Sequence, residues 1–221
     1  MNHNNELTKI YEKRFSGHEL YRNKVWKILV TNFLSKWISK SDQILDLGCG
    51  YGEFINQVDC DVRYAMDLNP KTKSLLNKDI IFYEQDCSKP WTVVPNSLDL
   101  VFSSNFFEHL PDKKSLHHTI IEIKKALKPG GKLIAMGPNI SVLQGKYWDF
   151  WDHHVALSDA SICELLEFHD FNILQTIPKF LPYNMVRTKQ HPIFLVSTYL
   201  KIPFMWKIFG KQFLIISRKK D

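Results

Sequence analysis

No cysteine pair, no tract rich in glycine and proline, and no uninterrupted membrane-length apolar run occurs in this chain of 221 residues. With 9 Gly and 10 Pro, linker-like and collagen-like readings are excluded. Cys49, Cys60, Cys87 and Cys163 stand apart with no C-x-x-C, so neither a disulfide scaffold nor a cysteine zinc site is expected. A reducing, cytoplasmic compartment is the expectation that follows. The opening MNHNNELTKIYEKRF is polar and charged, and no secretory leader is expected there. The long apolar stretch from Pro192 to Phe209 is broken by Lys201, Pro203 and Lys207. A spanning helix needs about 20 predominantly apolar residues, so two short amphipathic helices hinged at Pro203 are expected instead. No internal repeat is visible. Acid is absent from Phe171 to Lys220, which holds nine basic residues and leaves 20 basic against 23 acidic for the rest. A basic end on a mildly acidic body points to a phosphate-bearing partner or an anionic surface, or to a plain solvated face.

Hydrophobic residues make up 44% and charged residues 24%, as in an ordinary globular domain. Residues 6–40 read as one or two helices, with Val25, Ile28, Leu29, Phe33, Leu34 and Trp37 near a 3.6 period. Strand-length runs follow at Ile44–Leu47, Tyr64–Asp67, Ile80–Tyr83, Leu98–Ser103, Lys132–Met136, Asn172–Ile177 and Phe213–Ser217. Lys113–Leu127 reads as a helix stopped by Pro129-Gly130-Gly131, and Asp159–His169 as another with Ser158 as N-cap. The alternation predicts an α/β fold, a parallel sheet with helices on both faces and ligands at the carboxyl ends of its strands. An N-terminal helical lid over 1–40 and a body over 41–221 are expected. A helical insertion over 179–212 would precede the last strand.

The first strand runs into Asp46-Leu-Gly48-Cys49-Gly50-Tyr-Gly52-Glu53. Glycines at spacing two let a ligand approach the backbone. A dinucleotide loop would have Gly where Glu53 stands, and a carboxylate there opposes a pyrophosphate. The ligand should be neutral or cationic near the loop. Asp67 ends the second strand, where a carboxylate can take both hydroxyls of a ribose. Asp86 ends the third, where one can accept from the amine of adenine. Ribose, adenine and a charged amino-acid tail, without pyrophosphate, satisfy this set.

This D-x-G-x-G-x-G loop, with an acid after each of the next two strands, resembles the class I S-adenosylmethionine-dependent methyltransferases. Leu98 to Leu110, ending in Glu108-His109-Leu110, resembles their fourth-strand motif, and Leu127-Lys-Pro-Gly-Gly their turn into strand five. Tyr11-Glu-Lys-Arg14-Phe15 is similar to the lid of small-molecule members. A looser likeness to bacterial methyltransferases of polysaccharide clusters lies in Gly52-Glu-Phe-Ile and in the Asp-His-His stretch. The resemblance implies a Rossmann-like, seven-stranded, mostly parallel sheet. It implies S-adenosyl-L-methionine held by Tyr11, Arg14, Asp46, Gly48, Cys49, Gly50, Gly52, Asp67, Leu68, Asp86, Cys87, Asn105 and Phe106. Asp67 would take the ribose, Asp86 and the Cys87 backbone the adenine, while Asn105 and Phe106 face the sulfonium.

O-methylation needs a proton acceptor. Candidates are His109, after strand four, and His153 or His154, before a helix, with Asp152 to orient the imidazole. Trp148, Phe150 and Trp151 could wall an acceptor or pack in the core. A metal on Asp152-His153-His154 is not expected, because adjacent residues rarely converge on one ion. The acceptor expected is a small molecule or glycan, lipid- or nucleotide-linked, with a peripheral contact at an anionic membrane open. The alternatives are a nucleic-acid methyltransferase using the basic C-terminal region and a non-catalytic cofactor-binding partner. Nucleic acid is disfavoured by the absence of an RNA-binding module.

Overall fold

The computed structural model describes residues 19–183 and 190–220. Seven strands form one sheet in the order β3-β2-β1-β4-β5-β7-β6. They are β1 (Gln43–Leu47), β2 (Val62–Asp67), β3 (Ile81–Glu84), β4 (Leu98–Ser104), β5 (Leu127–Pro138), β6 (Phe171–Ile177) and β7 (Gln212–Lys219). β1 to β5 are parallel, and β7 runs antiparallel between β5 and β6. The helices are α1 (Glu19–Asn32), α2 (Lys113–Ala126), α3 (Ile140–Leu143), α4 (Asp159–Phe168), α5 (Ile193–Lys201) and α6 (Pro203–Phe209).

Alternate residues of the central strands feed two cores, one on each face. Leu45, Val101, Leu133, Ala135, Phe213 and Ile215 meet α2 and α4. Ile44, Leu100, Phe102, Ile134, Leu214 and Ile216 meet α1, α5 and α6. α2 buries Leu116, Ile120 and Ile123, a helical stripe, and Asp112 caps it by accepting from Ser115 N at 2.7 Å. α4 starts in a capping box between Ser158 and Ser161. Such caps are each worth about 1 kcal/mol.

The crossovers are leaner than the expected strand–helix alternation. After β1 and β2 the chain makes only 3-10 turns, Ile55–Gln57 and Pro70–Leu75. Side chains hold them: Arg63 donates to the carbonyls of Ile55 and Val58, both at 3.2 Å, and Asn56 donates to the Leu75 carbonyl at 2.9 Å. These bonds satisfy carbonyls that an α-helix would have used internally. The fifth strand also starts earlier than expected. Leu127 pairs with Leu98, and a register shift follows before Leu100. The Pro129-Gly130-Gly131 turn is thus a bulge inside β5, with Gly130 at φ +72°.

Helices α5 and α6 of the insertion between β6 and β7 pack on the α1 face. Phe33, just past α1, Phe180, and Trp206 of α6 form an aromatic cluster with ring centroids 4.6–5.6 Å apart. Asn32 donates to Ser197 of α5 at 3.1 Å. The neck of the insertion reaches the carboxyl edge, where Phe180 N donates to Gln212 O at 2.6 Å. At this neck a Cβ on Gly210 would stand 2.4 Å from the carbonyl carbon of Lys179. Backbone cannot yield cheaply there. Gly210→Ala is expected to cost about 1–3 kcal/mol, as overpacking does. Thermal unfolding should show a drop of about 2–4 °C per kcal/mol, and an unchanged midpoint would refute the account.

Candidate active site

β1 connects outward to β2 on one side and β4 leads to β5 on the other, so the topological switch point lies between β1 and β4. Ser103 of β4 ties these strands by donating to Leu47 O at 3.0 Å. The loops that leave them carry the first half of the site. Gly48 and Cys49 both donate to Met66 O, at 2.9 and 3.2 Å, which folds the loop back over β2. Gly48 stands at φ +68°, and a Cβ on it would lie 2.1 Å from the Phe106 ring. Gly50 stands at φ +52° with open space where its Cβ would point. A side chain there would fill the cradle above the loop. Asp67 holds the cradle's rim: Oδ2 accepts from Gly50 N at 2.9 Å and Oδ1 from Asn69 N at 2.8 Å. Each oxygen keeps a further lone pair for a ribose hydroxyl. Thr72 adds a bond to Gly50 O at 2.8 Å, so the early Pro70 opens a turn that braces the loop.

Three carboxyl groups converge here. Burial pushes Asp46 well above the usual carboxylate range, and the charges of Glu53 and Asp67 add to it. Burial also raises Glu53 and Asp67. Glu53, the residue that opposes a pyrophosphate, forms an ion pair with Arg22 of α1, which also lies 5.6 Å from the Tyr51 ring centroid. A site with clustered buried acids favours a cationic ligand, and a sulfonium with an ammonium tail fits it. Asn105, at φ +49°, turns a buried Oδ1 that has no hydrogen-bond partner among the described residues. This acceptor also suits a ligand donor. At the end of β3, Asp86 Oδ1 accepts from Ser88 N and Oγ, at 2.9 and 2.7 Å. The Cys87 thiol faces the core, and burial pushes it up to about 12. Leu68 is half exposed beside Asp67. Tyr11 and Arg14 lie outside the described residues.

The second half stands past β4 and β5. His153 is buried and His154 exposed, which separates two residues the sequence could not. His154 contributes its backbone, donating with Val155 N to Glu108 O at 2.8 and 3.2 Å. Asp152 was expected to orient the imidazole of His153 or His154. It stands against His109: its carbonyl lies 2.9 Å and its carboxylate 3.3 Å from His109 Nδ1. The Glu108 carboxylate lies 3.8 Å from His109 Nε2. His153 stacks on Phe150, stands edge-on to His109 at 5.0 Å, and reaches Tyr183 Oη from Nε2 at 3.2 Å. Burial pushes Glu108 up to about 7, opposed by His109 and helped by Asp152. Burial alone would lower His109, but the Asp152 hydrogen bond and the Glu108 charge outweigh it and raise it. Glu108, His109 and His153 offer ligand atoms within 4.8 Å of one another, a grouping the sequence did not put forward. Trp148 and Trp151 face solvent. Tyr147, fully buried, pins the loop by donating to Val155 O at 2.6 Å and accepting from Leu157 N at 3.2 Å. Tyr147, Tyr183 and Arg22 join the site without any motif to mark them.

Removing Asp67 tests the first half. Asp67→Ala should weaken S-adenosylmethionine binding at least about ten-fold, since each charge-assisted hydrogen bond is worth about 1.5–3 kcal/mol. Asp67→Asn should lose less, because it keeps one acceptor oxygen. Calorimetric titration of folded variants reads both; undiminished affinity in the alanine variant refutes the ribose assignment.

Comparison with known proteins agrees with this geometry. Residues 18–176 match the methyltransferase-domain family. A probable methyltransferase of Arabidopsis thaliana is 24% identical over 121 residues, half of this chain and 20% of that protein's length. The fold is shared with a SAM-dependent methyltransferase from Archaeoglobus fulgidus, at a TM-score of 0.67, 16% identity, and coverage of 96% and 99%. It is shared with a Thermotoga maritima protein described as a possible histamine N-methyltransferase, at 0.66, 14% identity and 97% of each chain. The chain complexed with the Haloferax volcanii Trm112 methyltransferase activator is similar too, at 0.66, 16% identity and 92% of each chain. With the matched domain covering most of its length, on this sheet and around this acid-rimmed glycine loop, the chain belongs to the methyltransferase-domain family.

Proposed function

We propose that the chain methylates a hydroxyl group of a small-molecule or glycan acceptor, with His153 as the proton acceptor. The observation that carries this reading is the buried His153 beside Glu108 and His109, close to the carboxyl ends of the strands that also present the cofactor loop. S-adenosylmethionine, when bound, supplies a methyl group already activated by its sulfonium. What remains for the chain is to hold the acceptor and take its proton. Asp152 holds His109, and His109 packs edge-on against His153. Tyr183 and Phe150 fix the plane of the His153 ring. Packing of this kind limits rotamers and presents one ring nitrogen to the acceptor.

A lipid-linked acceptor of the polysaccharide-assembly kind suits the surface of the insertion. Phe194 of α5, Ile202 between the helices, and Phe204, Ile208 and Phe209 of α6 are 40–69% exposed, an unusual density for a monomer's surface. Lys201, Lys207 and Lys211 stand among them with no acid in the segment. No helix among the described residues is long and apolar enough to cross a membrane. Contact with an anionic lipid surface would therefore be peripheral, with each basic residue near it adding about 1 kcal/mol. Co-sedimentation should rise with anionic lipid and fall with salt. Protein that stays in the supernatant at every lipid composition would remove the membrane contact from the proposal.

Transfer of label from methyl-labelled S-adenosylmethionine to a fractionated cell extract tests the chemistry. The labelled product should be a methyl ether, and an N-methyl product would refute O-methylation. His153→Ala should keep cofactor affinity and lose turnover by about 10²–10⁴. His154→Ala should lose far less. Normal turnover in folded His153→Ala would move the proton acceptor elsewhere.

A further inference from the structure

We infer that Glu108, His109 and His153 form a site for a borderline-soft divalent cation of the zinc type, and that filling it blocks the proton acceptor. Cation binding stands on geometry alone, whereas the loss of turnover rests on His153 being that acceptor. Glu108 is 1% exposed, and its Oε1 has no hydrogen-bond partner among the described residues. A buried carboxylate oxygen left unsatisfied is costly unless a proton or cation meets it. His109 supplies the next ligand in a prepared orientation. Its Nδ1 is engaged by Asp152, which leaves Nε2 on the side of Glu108, 3.8 Å from Oε1. A histidine held from behind by a carboxylate or carbonyl is the usual outer shell of a metal site. The third ligand is a ring nitrogen of His153, and all three ligand atoms lie within 4.8 Å.

Ligand atoms around tetrahedral zinc stand about 3.4 Å apart, given bonds of about 2.0–2.1 Å. Closure of about an ångström by side-chain rotation completes the site. The backbone is already in register, because His154 N and Val155 N both donate to Glu108 O and clamp the two ligand segments together. Two imidazoles and one carboxylate suit zinc, cobalt and ferrous iron better than magnesium or calcium, which prefer oxygen ligands throughout. Once the cation occupies the His153 lone pair, that nitrogen can no longer take a proton from the acceptor.

Chelator-stripped full-length protein titrated with Co²⁺, then with Zn²⁺, tests the site directly. One equivalent of Co²⁺ should bind, with the visible absorption of a four- or five-coordinate ion, and Zn²⁺ should displace it. Glu108→Gln, nearly isosteric, and His109→Ala should each weaken binding at least about ten-fold. His169→Ala should not, since it breaks only the surface pair in which His169 Nε2 lies 3.1 Å from His117 Nδ1. Absence of stoichiometric binding by the wild-type protein would overturn the site. So would loss of the cation in His169→Ala with retention in Glu108→Gln. Stoichiometric Zn²⁺ should also suppress label transfer, and chelator should restore it. Full turnover with the site loaded would overturn the block alone. Normal turnover by metal-free His153→Ala would instead count against the proton acceptor.

Discussion

Burial of carboxylates at one edge of the sheet is the constraint on which the rest of this molecule depends. Asp46, Glu108 and Asp152 are nearly inaccessible, and Asp67 and Glu53 are largely covered. Removing a charge from water is expensive, and a fold tolerates it only where the charge meets a hydrogen bond, a counter-ion or a ligand. The observed contacts read as answers to that demand. Gly50 and Asn69 donate to Asp67, Arg22 pairs with Glu53, and His109 stands between Glu108 and Asp152. What these contacts leave unsatisfied marks the places where ligands belong.

The sheet concentrates the acids because parallel strands end together. Asp67 ends β2, Asp86 follows β3, and Asn105 and Glu108 follow β4, so residues from three separate segments stand at one carboxyl edge. The antiparallel β7 begins at that same edge, with Gln212 opposite Pro138. The neck of the insertion therefore delivers Tyr183 to His153 although 30 residues separate them. Behind the edge, two cores hold the strands from opposite faces. The stacked Phe54 and Phe102 rings, 3.8 Å between centroids, with Trp26 edge-on, anchor α1 beneath the glycine loop. Arg22 lies one helical turn before Trp26 on the same face. The packing that buries Trp26 thus also aims Arg22 at Glu53.

The two halves of the site differ in how their geometry is held. The half around the glycine loop is held by backbone: glycines at positive φ, N–H groups aimed at Asp67, and a carbonyl gripped by Thr72. The half around His153 is held by side chains on side chains, with ring on ring at His153 and carboxylate on imidazole at His109. Backbone devices need particular residue types at fixed spacing. Side-chain packing needs only neighbours of suitable shape from anywhere in the chain.

That difference decides what could be read from residues alone. The strand runs, the α2 and α4 helices with their caps, the glycine loop and the acids after β2 and β3 were legible, because periodicity, capping and positive-φ turns are local. The 3-10 crossovers after β1 and β2 were not, since Arg63 and Asn56 enforce them through bonds to distant carbonyls. Nor was the bulge that starts β5 at Leu127, which depends on pairing with Leu98. Between His153 and His154 the sequence offers no distinction. Only packing against Phe150, His109 and Tyr183 turns one imidazole inward and leaves the other in solvent. The loop spacing marked the glycine cradle, whereas tertiary contacts alone assembled the Glu108–His109–His153 group, because its members meet across segments more than 40 residues apart.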